Sequence, residues 1–133
     1  MRNPWVDPPK SVWDAPEFPD YLERFNEREG TSFTLEQLKD SHASLVARPW
    51  EALKIPFKPI DIACYKSRAA EFRDTENTID LRFRFSEGMW MPLVIYTGDH
   101  YALFDGIRRV GIAQVSSVPV VAAVLDPLGA AFE

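Results

Sequence analysis

Residues 101–115, YALFDGIRRVGIAQV, limit the architecture more than any other stretch of the chain. An apolar run ends at Asp105-Gly106, two arginines, Arg108 and Arg109, follow at once, and a pattern compatible with a helix comes behind them. That order reads as a strand feeding a helix through a glycine. A helix start presents free N–H groups and the positive end of the helix dipole. Guanidinium groups at the same place make an anion or phosphate site. A glycine there lets backbone approach such an anion closely.

The flanks extend the pattern. Residues 92–97, PLVIYT, read as an apolar strand, Gly98-Asp99 with His100 as a tight turn, and residues 101–104 as the returning strand of a hairpin. His100, beside an acid, reads as a turn residue. Residues 118–125, VPVVAAVL, read as a buried strand with a proline near its start, ended by Asp126-Pro127.

Upstream, Pro4, Pro8, Pro9, Pro16 and Pro19 forbid one continuous helix over the first nineteen residues. Trp5, Trp13 and Phe18 are interleaved with them. This is either an extended arm that packs its aromatics on the domain or on a partner, or a mobile leader. Asp20 is expected to cap a helix over residues 20–29, with Leu22 and Phe25 as its apolar stripe and Gly30 as its stop. Thr34 and Gln37 have capping-box spacing. The helix behind them is expected to reach Leu45 or Val46, with Leu35, Leu38, His42 and Leu45 on one face. His42 then reads as a boundary or core histidine, not a ligand. Pro49 closes that segment, and residues 50–59 read as a connector. Residues 60–65, IDIACY, and 79–85, IDLRFRF, read as strands. Arg82 and Arg84 fall on a solvated face, and Cys64 behaves as a small hydrophobe.

Composition sets the outer limits. The chain has 133 residues, 46% of them hydrophobic and 26% charged, which is enough for a packed core. A net charge of −5 argues against broad electrostatic binding to nucleic acid or an anionic membrane, while leaving room for a local basic site. With a single cysteine no intrachain disulfide can form. No apolar run approaches the roughly 18 residues of a membrane span, and the opening residues lack the apolar core of a secretory signal. A cytoplasmic location is expected.

Residues 91–124, MPLVIYTGDHYALFDGIRRVGIAQVSSVPVVAAV, resemble the core of the ParB/sulfiredoxin superfamily. The shared order is a strand that begins with proline, a tight turn, a strand ending in Asp-Gly, a G-x-x-R box opening a helix, and a Val-Pro strand. Residues 59–68, PIDIACYKSR, and Ser86-Glu87-Gly88 are similar to the family's preceding segments. The resemblance covers about residues 56–125. It implies an α+β fold: a small mixed sheet with a β-hairpin and a helix opened by the box. A helical N-terminal extension precedes it. Residues 1–54 would then be a proline- and aromatic-rich arm with two short helices, and residues 55–133 the family domain.

The resemblance also implies a function, binding of nucleotide phosphates from ATP or CTP, with or without Mg2+. Gly106 matches the box glycine and Arg109 its closing arginine. Arg108 lies between them, and Arg68 is a candidate second phosphate contact. Ile107 takes the place of the ParB glutamate and the sulfiredoxin cysteine. It can neither move a proton nor attack, which rules out sulfiredoxin chemistry at this box and weakens NTP hydrolysis. Asp105 either caps the helix or acts catalytically, orienting a metal or a substrate hydroxyl. Arg108 and Arg109 either face phosphate or pair with Asp105 and Asp99.

Three functions remain open at this point. The chain could be a nucleotide-binding domain with weak NTPase activity. It could be a DNase or phosphotransferase using Asp105, Asp61 or Glu87. Or it could be a non-catalytic interaction module that docks a protein partner through the aromatic arm. Sequence-specific DNA binding is not expected, on charge and for want of room for a helix-turn-helix after the last strand. No metal site made by the chain alone is predicted.

Overall fold

The computed structural model describes residues 5–55, 89–106, 109–110, 113 and 119–129. The expected strands over residues 60–65 and 79–85 lie outside these, as do Cys64, Arg68, Ile107 and Arg108. The described chain is mixed α+β, and no described helix is long and apolar enough to cross a membrane.

From Trp5 onward the proline-rich start is folded. Strand β1 (Trp5–Val6) is followed by a 3₁₀ helix over Lys10–Asp14. Trp5, Val12, Trp13 and Phe18 are all buried, so the arm packs its aromatics on its own domain. The Trp5 indole N–H donates to the Pro119 carbonyl at 2.7 Å, which satisfies the polar end of the buried ring.

Helix α1 (Phe18–Glu29) starts two residues before the expected site, with Glu17 rather than Asp20 at its N-cap. Pro19 explains the difference. Proline lacks only an N–H that the first turn leaves unbonded, so it fits the helix start. The earlier start brings Phe18 onto the same buried stripe as Leu22 and Phe25. Gly30 ends the helix with φ +68°, the left-handed conformation that favours glycine.

Helix α2 (Leu35–Ser41) opens with both bonds of the capping box. The Gln37 N–H donates to Thr34 Oγ1 at 3.2 Å, and the Thr34 N–H to Gln37 Oε1 at 2.8 Å. The helix does not run to Leu45. It tightens into a 3₁₀ turn at His42–Ser44 and then becomes strand β2 (Val46–Pro49). Residues 50–53 are also more than a connector, since Trp50–Leu53 forms a single helical turn, α3, that buries Trp50 and Leu53.

Beyond these come β3 (Met89–Trp90), β4 (Leu93–Tyr96), β5 (Tyr101–Asp105) and β6 (Val121–Leu125). Strands β4 and β5 make the expected hairpin, closed by Thr97 N–H donating to the His100 carbonyl at 2.9 Å. Among the described residues a four-stranded mixed sheet has the order β2-β6-β4-β5. The outer pairs, β2/β6 and β4/β5, are antiparallel, and the central pair β4/β6 is parallel. The central strands carry continuous apolar runs, LVIY and VAAVL, as strands covered on both faces do. Strands β1 and β3 form a separate parallel pair, in which Val6 faces Trp90 in register.

A bulge shapes the end of the hairpin. Leu93 faces Asp105 but Val94 faces Leu103, so Phe104 is the extra residue. Its ring enters an aromatic cluster from the arm and α1. Centroids lie 5.7 Å from Trp13, 5.2 Å from Phe18 and 6.0 Å from Phe25. Such rings are worth roughly 0.5–1.5 kcal/mol per pair beyond the area they bury. The residue next to Phe104 is Asp105, so this cluster anchors the strand end that carries the site.

Candidate functional site

Strand β5 delivers Asp105 to the edge of a corner, and Gly106 turns it. Gly106 has φ +105°, a conformation side chains resist, and its carbonyl accepts the Val110 N–H at 3.1 Å. Arg109, Val110 and Ala113 are helical, and Val110 and Ala113 are fully buried, one turn apart on the inner face. The strand–glycine–helix reading of this stretch therefore matches the described residues.

Arg109 folds back over the corner. Its Nη1 donates to the Trp90 carbonyl at 3.0 Å, and its Nη2 lies 3.3 Å from Asp105 Oδ2. The guanidinium also covers Gly106. A Cβ built on Gly106 would sit 2.7 Å from Arg109 Nη2, 2.8 Å from Pro92 Cβ and 2.9 Å from Pro92 Cα. Pro92 is held in turn by its carbonyl, which accepts the Ala123 N–H at 2.9 Å. Trp90 and Pro92 thus form a backbone floor beneath the box.

The pair is half sheltered, with side-chain exposures of 20% for Arg109 and 26% for Asp105. Burial pushes the Asp105 carboxyl above the ordinary carboxylate range. Arg109 and the Gly106 N–H offset only part of this, and Glu17 adds a small push in the same direction. Burial likewise lowers Arg109, with Asp105 opposing. In both groups the loss of water outweighs the mutual attraction, as expected for a sheltered pair with one long contact. The guanidinium remains a cation across the physiological range.

Of the predicted site residues, Asp105, Gly106 and Arg109 come together. Arg108 and Arg68 lie outside the described residues, as do Asp61 and Glu87. The Asp105 carboxylate meets the Arg109 guanidinium, and the adjoining Gly106 backbone also favours its charged form. Asp99 does not join the corner. It sits at the other end of β5, bonded to Thr97 and His100. Among the described residues no group of three or more His, Cys, Asp or Glu side chains is arranged to hold a metal ion.

His42 is half-buried against Trp13, whose indole N–H donates to its Nδ1 at 2.9 Å. That bond makes Nδ1 an acceptor and explains a histidine at this boundary. His100 is more than a turn residue, because its Nε2 lies 2.8 Å from Glu29 Oε2 on α1. Its neighbour Asp99 is the sequence signal for a paired imidazole, but the partner 71 residues away has none. No family model, curated protein or solved structure matches the chain.

Proposed function

We propose that the chain is a ParB/sulfiredoxin-like domain that holds the phosphates of a nucleotide, ATP or CTP, at the corner formed by Asp105, Gly106 and Arg109. The observation that carries this reading is the state of Arg109. Its guanidinium lies over the glycine at a helix start and meets its carboxylate through one contact of 3.3 Å. A tight charge-assisted bond is about 2.7–2.9 Å, and a bidentate pair makes two. Asp105 is therefore a weak internal counter-anion, and a phosphate group with several oxygens outcompetes it. The Trp90 carbonyl keeps the other end of the guanidinium fixed during that exchange. Arg108 and Arg68 would supply further cationic contacts, and Mg2+, where required, arrives with the phosphates. Ile107 offers no group for proton transfer or attack, so the domain binds nucleotide and turns it over slowly or not at all.

The test is thermal shift with ATP, CTP, GTP and ADP, with and without magnesium, alongside phosphate release. Binding is expected for the parent chain. It should be lost in Arg109→Ala and strengthened in Asp105→Asn, which removes the competing carboxylate. A folded protein that no nucleotide stabilises would sink the reading. Plasmid nicking lost on Asp105→Ala would replace it with a nuclease.

A further inference from the structure

The strongest side-chain cluster outside the corner joins the hairpin turn to α1. His100 lies between two carboxylates, with Nε2 at 2.8 Å from Glu29 Oε2 and Nδ1 against Asp99 Oδ1. Glu29 is also bonded to Arg28, whose Nε donates to Glu29 Oε1 at 2.9 Å. Arg28 Nη2 reaches across to the Leu103 carbonyl of β5 at 2.9 Å. On the turn itself Thr97 Oγ1 lies 2.9 Å from Asp99 Oδ1 and 3.0 Å from His100 Nδ1. These are the charged and titratable groups that the structure shows facing the imidazole.

We propose that His100 is an acid-closed clasp that locks the β4–β5 turn onto the C-terminal end of α1. A neutral imidazole has one N–H, so it can donate to only one of the two carboxylates. The other carboxylate would then face a ring lone pair. The imidazolium donates to both, and the observed geometry is that of the charged ring. Loss of the proton frees one side. Thr97 can then donate to Nδ1 from within the turn, while nothing on α1 other than Glu29 contacts Nε2 among the described residues. The clasp therefore weakens across the gap between the two elements, leaving the bond from Arg28 to the Leu103 carbonyl as the polar tie that remains among the described residues.

The sign follows from the shifts that accompany this geometry. Bonds to Glu29 and then Asp99 raise His100 above its ordinary 6.5. Burial raises Glu29, but the bonds from His100 and Arg28 outweigh it and leave the carboxyl below 4.5. Bonds from Thr97 and His100 hold Asp99 below 3.8. A raised histidine contributes fully below its unfolded value and is lost as pH rises through its folded value. The lowered carboxylates contribute above their unfolded values and are lost in stronger acid. The clasp is closed from about 4.5 to 6.5 and opens as the pH climbs beyond that, through the raised value.

Two measurements on the full chain test this. The ring nitrogens of His100, followed by NMR through a pH series, should titrate above 6.5, and Glu29→Gln should lower that midpoint. Amide exchange at Arg28, Glu29, Gly30 and Thr31, corrected for intrinsic rates, should be roughly two- to fivefold slower at pH 6 than at pH 8. That is the scale of a half-exposed ion pair. The difference should vanish in His100→Gln. A midpoint at or below 6.5, or the same pH dependence of exchange in His100→Gln, overturns the clasp. Neither result depends on nucleotide binding at the corner.

Discussion

Gly106 stands with its α-carbon against the backbone of Pro92, so close that a Cβ there would lie 2.9 Å from Pro92 Cα. The positive φ and the contact act together. Gly30 is the milder case, because its φ of +68° lies in the left-handed region and nothing lies within 4 Å of a built Cβ, whereas the φ of +105° at Gly106 lies beyond that region. Gly30→Ala should therefore cost the conformational term alone, about 1 kcal/mol. Gly106→Ala adds overpacking against a rigid floor and the Arg109 guanidinium, for a total of about 2–4 kcal/mol. Urea denaturation of the two variants measures the difference as a shift in midpoint at constant slope. Equal losses would mean that Pro92 yields and the floor is not rigid.

Phe104 is where the arm, α1 and β5 meet. Replacing it by alanine removes contacts to Trp13, Phe18 and Phe25 at once and should cost about 3–5 kcal/mol. That is a large share of a domain's total stability, so Phe104→Leu, expected to cost less, is the working variant. A double-mutant cycle of Phe104→Leu with Trp13→Leu should show a coupling of about 0.5–1.5 kcal/mol. A coupling of zero would mean that the arm rests on the domain without contributing to its core.

The capping box offers a local test. Thr34→Ala removes the acceptor for the Gln37 N–H and should destabilise the chain by about 1 kcal/mol. Thr34→Ser should cost much less, since the hydroxyl remains. Equal losses for the two would place the effect in the threonine methyl group and not in the cap.

What could be read in advance was local. Thr34, Gln37 and Gly30 carry their structural meaning in their own φ/ψ and hydrogen-bonding chemistry, and so did the hairpin around Gly98-Asp99. Strand β2 could not be read that way. Its four residues, VARP, alternate only weakly between half-buried and exposed, and they are strand because β6 pairs with them from far along the chain. Pro49 is tolerated there because β2 lies at the edge of the sheet formed by the described residues. The same division holds at the corner. Asp105 and Gly106 were visible as a strand end and a turn. That Arg109 bends back to the Trp90 carbonyl depends on a residue nineteen positions away that no spacing rule connects.

Arg109 and Asp105 make one further prediction, about pH. Arg109→Met keeps much of the side-chain volume over Gly106 but removes the cation, leaving Asp105 sheltered and without its partner. Burial already raises the Asp105 carboxyl, and Arg109 partly offsets that rise. Without Arg109 the carboxyl should move further up. The ionised form depends on the guanidinium and the protonated form does not. The variant's stability deficit should therefore be largest near pH 7, where Asp105 is charged, and shrink as pH falls through its raised value. For a group whose folded value lies above its unfolded 3.8, the native state binds more protons in that window, so acid favours it. The deficit is expected to be smaller at pH 4 than at pH 7, read from urea midpoints at each pH. Arg109→Met/Asp105→Asn should remove the pH dependence of the deficit. A deficit that stays constant with pH would place the role of Arg109 in its bond to the Trp90 carbonyl and its packing over Gly106, and not in its charge.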